Sequence, residues 1–277
     1  MTHPLALIIY NRPNHLRRVI EALAPQKPEP LYIFADGPKA GETELVKETR
    51  DLAWNMTDWT ERRLLVGRHD NVGLAASIVG AVDGVMKHNE TCIVLEDDCV
   101  PGPYFMAFME ECLNRYEDDR KVLCCTGYTV NLPEDMGVDW DCYFMPRIET
   151  WGWGTWRHKW EMYRRDLGKA YQEALRRRVD LTRGGPDVPA MIEARLDGQG
   201  DSWSPGWMLA CYLEDMYCVF PTTSHIQNIG MDGSGAHCGP SDRWYSEIAT
   251  VKPTRFPKGF IKNKRIEDYV RQYHSRY

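Results

Sequence analysis

Residues 91–102, TCIVLEDDCVPG, join an apolar run to three consecutive carboxylates, Glu96, Asp97 and Asp98. A short run rich in Ile, Val and Leu is typical of a strand buried on both faces, as in a parallel sheet. Side chains alternate along an extended chain, so we expect Glu96 and Asp98 to point to one side and Asp97 to the other. The strand therefore brings a cluster of negative charge to one edge of the sheet.

Three adjacent carboxylates repel one another unless protons or a cation compensate. The triplet alone leaves two interpretations open. It is either a solvated acidic turn or helix start, where acids are favoured, or a site for Mg²⁺ or Mn²⁺, which take one or two carboxylates together with phosphate oxygens and water. Its place directly after the CIVL run, at the edge where parallel sheets bind ligands, favours the metal-phosphate interpretation.

Outward from this stretch, the first half of the chain alternates apolar runs with helix-like segments. This alternation predicts an α/β fold, a mostly parallel central sheet with helices on both faces. The predicted strands are 5–10, 31–35, 64–67, 92–95 and 122–126, and the predicted helices are 13–24, 43–54, 74–87 and 102–116. The second half is Trp-rich and Gly-rich, with predicted helices at 155–164, 169–178, 205–215 and 265–273 and a flexible loop at 182–189. We expect one domain over 1–277, built from two joined halves at about 1–128 and about 129–277.

Composition limits the classes of partner. The 277 residues carry a formal net charge of −6, which argues against nucleic acid because phosphate-backbone binding relies on clustered Lys and Arg. No apolar run is long enough for an integral membrane segment, and the N-terminal stretch MTHPLALIIYNRP lacks the pattern of a secretory signal. Most of the nine cysteines lie inside apolar segments, a distribution typical of reduced thiols. We expect a cytoplasmic protein, or one peripheral to the cytosolic face of a membrane.

The stretch IVLEDDCVPGPYF resembles the DxD-type motif of GT-A glycosyltransferases, in particular inverting enzymes of the family 2 and N-acetylglucosaminyltransferase I type. The resemblance continues, in this order, through NVGLAASIVGAV at 71–82, ETWGWGTWRHKW at 149–160, GDSWSPGW at 200–207 and HIQNIGMDGSGAH at 225–237. As a set, these blocks are similar to a bacterial sugar-transferase subgroup. The resemblance implies a GT-A (Rossmann-like) fold and a nucleotide-sugar donor, with a UDP-sugar favoured. It also implies that the half at about 1–128 binds the nucleotide-sugar and that the half at about 129–277 binds the acceptor and carries the flap.

The resemblance also implies roles for the acids. Asp98, the last acid of the triplet, would bind Mn²⁺ or Mg²⁺, while Asp97, with Glu96 beside it, would contact the ribose or sugar of the donor. Asp36 matches the acid that accepts the uracil N3 hydrogen, although Asp-Gly-Pro is also an ordinary turn. His237 lies in a Gly-rich segment expected to close over the donor, and is a candidate metal ligand or diphosphate contact.

The remaining candidates divide between donor and acceptor. Tyr10 is expected beside the base, and Asn71 is expected to contact the donor. Arg12 is predicted either to face the diphosphate or to lie on the surface. Asp201 is the candidate base that takes the proton of the acceptor hydroxyl, a contribution of about 10²- to 10⁴-fold in rate; its alternative role is a helix cap or a loop-stabilising acid.

Tryptophan is concentrated around the 149–160 and 200–207 blocks, and an indole offers a flat apolar face to a sugar ring. We assign Trp151, Trp153 and Trp203 to the acceptor or sugar side, and Trp156 and Trp160 to the core. The sequence thus predicts a metal-dependent inverting glycosyltransferase with a glycan, lipid-linked glycan or protein acceptor. Two alternatives stay open: a sugar nucleotidyltransferase, although IIYNRPNHL lacks the Gly-rich phosphate loop of that class, and a catalytically degenerate carbohydrate-binding protein.

Overall fold

The computed structural model of the protein describes residues 2–234 and 241–275. The strands are β1 (Leu5–Ile9), β2 (Leu31–Ala35), β3 (Arg63–Gly67), β4 (Thr91–Glu96), β5 (Cys99–Pro101), β6 (Val122–Thr126), β7 (Cys142–Met145), β8 (Trp153–Trp156), β9 (Tyr217–Pro221) and β10 (Ile226–Asn228). The α-helices are α1 (Pro13–Leu23), α2 (Thr43–Met56), α3 (Leu74–Met86), α4 (Phe105–Arg115), α5 (Arg157–Trp160), α6 (Leu167–Arg176), α7 (Val188–Leu196), α8 (Ser204–Leu213) and α9 (Lys264–Ser275).

The described strands form an eight-stranded sheet in the order β3-β2-β1-β4-β8-β6-β9-β7, beside a small sheet of β10 and β5. β1 is parallel to β2 and β4, β2 to β3, and β6 to β9. β8 and β7 run antiparallel to their neighbours, so the other six strands of the large sheet share one direction. This arrangement confirms the predicted α/β class with a mostly parallel central sheet flanked by helices, and it is consistent with a GT-A fold.

The path of the chain across the sheet reverses beside β1. The first three strands lie in the order β3-β2-β1, and α3 then returns the chain to β4 on the other side of β1. Right-handed crossovers place α3 on the face opposite to α1 and α2, and α3 contacts β1, β2 and β4. The carboxyl ends of β1 and β4 therefore form the topological switch point at which open α/β sheets bind ligands.

The aromatic residues of β8 anchor helices on the two faces of the sheet. Trp156 points to α4, where its indole Nε1 donates to the backbone oxygen of Leu113 at 2.9 Å. Trp153, three residues earlier and so on the other face, stacks on Trp203 with ring centroids 4.8 Å apart and also packs near Trp207 of α8. These buried rings fix the second half of the chain onto the sheet.

The second half departs from its predicted secondary structure. The predicted helix over 155–164 is wrong: residues 153–156 form β8, and the helix that follows, α5, has four residues. The predicted loop at 182–189 runs into α7. Strands β7, β9 and β10 have no counterpart in the prediction, because their apolar runs are short and adjoin turns or helical patterns.

No helix among residues 2–234 and 241–275 combines the length and the apolar character that crossing a bilayer requires.

Candidate active site

A cavity of about 480 Å³ opens at the carboxyl ends of β1, β2 and β4. Its walls come from the residues that follow these strands, the start of α3, the residues before α8 and the segment after β10. The fold thereby brings together most of the predicted site residues. Those that line the cavity are Tyr10, Arg12, Asp36, Asn71, Glu96, Asp97, Asp98, Trp151 and Asp201.

The middle acid of the triplet, Asp97, is buried and fully engaged by the chain that follows β1. Its Oδ2 accepts the backbone N–H of Tyr10 at 3.0 Å, and its Oδ1 accepts Nη2 of Arg12. Burial raises the pKa of Asp97, while the Arg12 guanidinium opposes that rise. Asp97 therefore ties β4 to the start of α1. Its predicted contact with the donor remains a prediction.

Asp98 faces the cavity and shares the same guanidinium. Its Oδ2 accepts Nη2 of Arg12 at 2.9 Å, and its side chain is 14% exposed. Among the described residues, its Oδ1 accepts the thiol of Cys99 at 3.4 Å and has a long contact with the amide of Asn228 at 3.5 Å. Arg12 thus lies in the cavity wall between two acids, and its predicted contact with the diphosphate stays a prediction.

Glu96 is half-buried at the cavity wall, and its carboxyl group has no hydrogen-bond partner among the residues that the structure describes. Burial, together with the nearby charges of Asp98 and Asp97, raises the pKa of Glu96 to about 8, while the Arg12 guanidinium opposes the rise. The carboxyl group is therefore held where its charge is unfavourable without an added cation.

Negative charge dominates the described lining of the cavity. Two basic side chains, Arg12 and Lys39, face six carboxylates. The six acids are Asp36, Glu42, Glu96, Asp97, Asp98 and Asp201. An anionic diphosphate entering this lining needs a further cation to offset the excess negative charge.

The oxygen donors of Asp98 and Glu96 suit Mg²⁺ or Mn²⁺. Within residues 2–234 and 241–275, no group of three or more His, Cys, Asp and Glu side chains is spaced to enclose a metal ion. The residues therefore fit an open site, in which one or two carboxylates hold the cation and the rest of its coordination comes from ligand and water. His237, the other predicted metal ligand, lies outside the described residues.

Asp36 and Asn71 fasten two loops to each other. The Asp36 carboxylate accepts the backbone N–H groups of Gly37, Val72 and Gly73 at 2.9 to 3.2 Å. The Asn71 amide donates to the backbone oxygen of Gly37 at 2.8 Å. Both side chains line the cavity, yet Asp36 already accepts three donors. The predicted contact of Asp36 with uracil stays a prediction, and its structural role is the one that the geometry displays.

Tyr10 lies at the cavity wall and is held by Glu42, a residue that the sequence analysis missed. The Tyr10 hydroxyl donates to Glu42 Oε2, while Asn11 Nδ2 donates to Oε1 at 3.0 Å and the backbone N–H of Lys39 donates to Oε2 at 3.2 Å. Burial and the bond to Glu42 raise the pKa of Tyr10 to about 12. Nothing in the sequence marked Glu42 beyond its place before a predicted helix.

Asp201 reaches the cavity from the residues before α8 and meets the first turn of α3. Its Oδ2 accepts the backbone N–H of Ala75 at 3.3 Å. Gly73 has φ of +83°, and a Cβ there would lie 2.4 Å from Asp201 Oδ2, so a glycine is required for this approach. The Asp201 carboxylate therefore lies at the N-terminus of α3.

The structure divides the three tryptophans assigned to the sugar side. Trp151 is half-buried, lines the cavity and packs edge-on against Tyr128, with centroids 4.6 Å apart. Trp153 and Trp203 are 0% and 4% exposed and stack on each other in the hydrophobic core. Their assignment to sugar binding is corrected: the strand at β8 turns Trp153 into the core, and no face of either ring is open to a ligand.

The segment after β10 lies directly over the triplet. The backbone N–H of Ile229 donates to the backbone oxygen of Asp98 at 2.8 Å, and that of Gly230 donates to Asn228 Oδ1 at 2.8 Å. A Cβ on Gly230 would lie 2.2 Å from Asp98 Oδ2 and 3.1 Å from Arg12 Nη1. Asn228 and Gly230 belong to the HIQNIGMDGSGAH block, but the sequence analysis assigned neither a role.

No protein family and no curated protein matches this sequence. Among solved structures, the apo form of the glycosyltransferase GlyE from Streptococcus pneumoniae TIGR4 is similar, with a TM-score of 0.37, 8% identity, and 88% of this chain and 46% of that chain covered. A protein assigned as a glucose-1-phosphate thymidylyltransferase from Bacillus anthracis, in complex with sucrose, has a TM-score of 0.33 and 11% identity over 69% of this chain and 83% of that chain. This chain spans about half the length of the GlyE structure. Likeness at this level does not bear on activity, so function must be argued from the cavity itself.

Proposed function

We propose that the protein is a metal-dependent, inverting glycosyltransferase that moves a sugar from a nucleotide-sugar, with UDP as the favoured nucleotide, to an acceptor hydroxyl. The observation that carries the proposal is the position of the acidic triplet. It opens into a cavity at the switch point of β1 and β4, and Asp201 enters the same cavity at the start of α3. A cavity with this excess of carboxylates suits a cation and a diphosphate together.

The donor half of the proposal uses the residues around β1 and β4. Asp98, with Glu96 beside it, would hold Mn²⁺ or Mg²⁺. The cation supplies stabilisation of the negative charge that builds on the leaving diphosphate. Arg12 offers a guanidinium to the same phosphates, and Tyr10 and Asn71 form the wall where the nucleoside would lie.

The acceptor half of the proposal depends on Asp201 and Trp151. A single displacement at the anomeric carbon forms the new bond from the acceptor oxygen as the bond to the diphosphate breaks, and the hydroxyl proton passes to a base. Among the described residues that line the cavity, Asp201 is the carboxylate that comes from the second half of the chain, and the backbone N–H of Ala75 at the start of α3 holds it in place. Trp151 supplies an aromatic wall for the acceptor, which would be a glycan, a lipid-linked glycan or a protein.

Thermal denaturation of the full chain with UDP, GDP and dTDP, each with and without Mn²⁺, tests the donor proposal, since a ligand that binds only the folded state raises the Tm. We expect UDP with Mn²⁺ to give the largest shift. We also expect EDTA and Asp98→Asn to abolish this shift and the turnover of the matching UDP-sugar. Asp139→Asn, which changes an exposed acid outside the cavity lining, is the matched control. Glycan binding that needs neither nucleotide nor metal would overturn the proposal in favour of a carbohydrate-binding protein.

A further inference from the structure

Arg12 is a fixed cation inside the acidic cavity. We propose that Arg12 is an internal counter-ion for Asp98. A divalent metal must displace Arg12 from Asp98, and an incoming diphosphate draws Arg12 away. Metal and diphosphate would then bind cooperatively, each weakly without the other. The inference rests on the proposed function, because it assigns an order to events at the same site.

The geometry makes the guanidinium and the metal competitors for one oxygen atom. A single nitrogen of Arg12, Nη2, donates to Asp97 and to Asp98 Oδ2, the latter at 2.9 Å. The other oxygen of Asp98 is turned towards Asn228 and Cys99, away from the guanidinium. A cation that coordinates Asp98 through Oδ2 has to replace this charge-assisted bond, and it is repelled by the guanidinium while that group stays in place.

The two acids hold Arg12 unequally, which gives it a direction in which to move. Asp97 is the more buried partner, with 4% of its side chain exposed against 14% for Asp98. Its second oxygen is also fixed by the backbone of Tyr10. Arg12 can therefore keep its bond to Asp97 and release Asp98, turning free N–H groups of the guanidinium to a phosphate. Arg has five such donors, so one group can serve a buried acid and a diphosphate together.

Reciprocal coupling follows from this exchange. A diphosphate that takes Arg12 from Asp98 raises the affinity for metal, and by linkage the metal raises the affinity for diphosphate by the same factor. Part of the coupling also comes from direct contact between metal and phosphate. The contribution of Arg12 is separated from that contact by a measurement without nucleotide, in which the guanidinium acts only as a competitor.

The test is a titration of the full chain with Mn²⁺ alone, in which free Mn²⁺ is measured by its electron paramagnetic resonance signal. We expect Arg12→Gln to bind Mn²⁺ about tenfold more tightly than the wild type, because the charge-assisted bond no longer has to be replaced. Arg18→Gln, which changes an exposed arginine of α1, is the matched control and should bind as the wild type does. Repeating the titration with UDP should show a smaller coupling factor for Arg12→Gln than for the wild type, and uridine, which has no diphosphate, should give none.

Equal or weaker Mn²⁺ binding by Arg12→Gln overturns the inference. Should this variant fail to fold because Asp97 is left without its counter-ion, Arg12→Lys keeps a positive charge for the buried Asp97, while its shorter side chain reaches Asp98 less well than Nη2 of Arg12 does. We expect it to bind Mn²⁺ more tightly than the wild type, and equal binding would again refute the role of Arg12. Absence of Mn²⁺ binding in the wild type and both variants, with UDP as well as without it, would instead contradict the metal dependence in the proposed function.

Discussion

Substitution of Gly230 by alanine is a sharp probe of the cavity, because it adds one methyl group at the most crowded point over the triplet. The new Cβ would lie 2.2 Å from Asp98 Oδ2, about 1 Å closer than ordinary packing of carbon against oxygen allows. Asp98 cannot simply turn away, since Arg12 already holds Oδ2 at 2.9 Å. The backbone on both sides of the contact is also fixed, by Ile229 on Asp98 and by Gly230 on Asn228.

The overlap must therefore be relieved by displacement of the Asp98 carboxylate together with Arg12, or by movement of the 228–230 segment away from the triplet. Overpacking of this kind costs about 1–3 kcal/mol of folding stability. A displacement of about 1 Å at a ligand group lowers function by as much as about 10²-fold. We expect Gly230→Ala to lower the Tm. We also expect it to weaken the binding of UDP with Mn²⁺, measured by isothermal titration calorimetry, by roughly one to two orders of magnitude.

Gly168→Ala is the control, because a Cβ there meets only Asp166 Oδ1 at 3.7 Å, an ordinary contact within α6. It should leave both the Tm and the ligand affinity near their wild-type values. A Gly230→Ala protein with wild-type stability and wild-type affinity would refute the close approach of this segment to Asp98, and with it the picture of a tightly covered triplet.

Asp201→Asn should lower the rate of sugar transfer by about 10²- to 10⁴-fold in a single-turnover assay while UDP affinity stays unchanged, because the amide oxygen can still accept the N–H at the start of α3; a loss of UDP binding instead would contradict its role as the base. Burial lowers the pKa of His225 from 6.5 to about 4. The contribution of its neutral form to the free energy of unfolding is therefore complete above pH 6.5 and is lost as the pH falls through 4, by about 3 kcal/mol in all. Denaturant unfolding between pH 7 and pH 4 should show a smaller loss for His225→Phe, and an unchanged acid dependence would refute the assignment. Trp153→Ala should cost about 3–5 kcal/mol of stability, whereas Trp151→Ala should cost less and mainly raise the KM for the acceptor; equal destabilisation by the two changes would contradict their different placements.

The parallel part of the sheet could be read from the sequence because its strands carry their signal locally. The predicted strand at 122–126 coincides with β6, and the run at 92–95 differs from β4 by one residue at each end. Strands covered on both faces are nearly continuous apolar runs, and in the helices between them the apolar residues recur about every 3.6 residues. The residues that follow these strands converge because parallel strands end at one edge.

The rest depends on contacts that a local pattern does not contain. The bond between Arg12 and Asp98 joins residues 86 positions apart, and the one between Asp201 and Ala75 joins residues 126 apart. The alternation of Trp and Gly that begins at residue 151 has the period of a strand. Trp156 and Trp160, however, lie four residues apart, a spacing that also fits a helix. Only the pairing of β8 with β4 and β6 decides between these readings.

The place of β8 in the sheet determines whether the two halves of the chain can be separated. A strand from the C-terminal half is inserted between β4 and β6, both from the N-terminal half, and its backbone bonds to each of them. A fragment ending near residue 128 would leave one edge of β4 and both edges of β6 without partners, and unpaired strand edges promote aggregation. Under the proposed function, new acceptor preferences would therefore have to arise by changes in loops on the shared sheet, since the C-terminal half cannot be replaced as a unit.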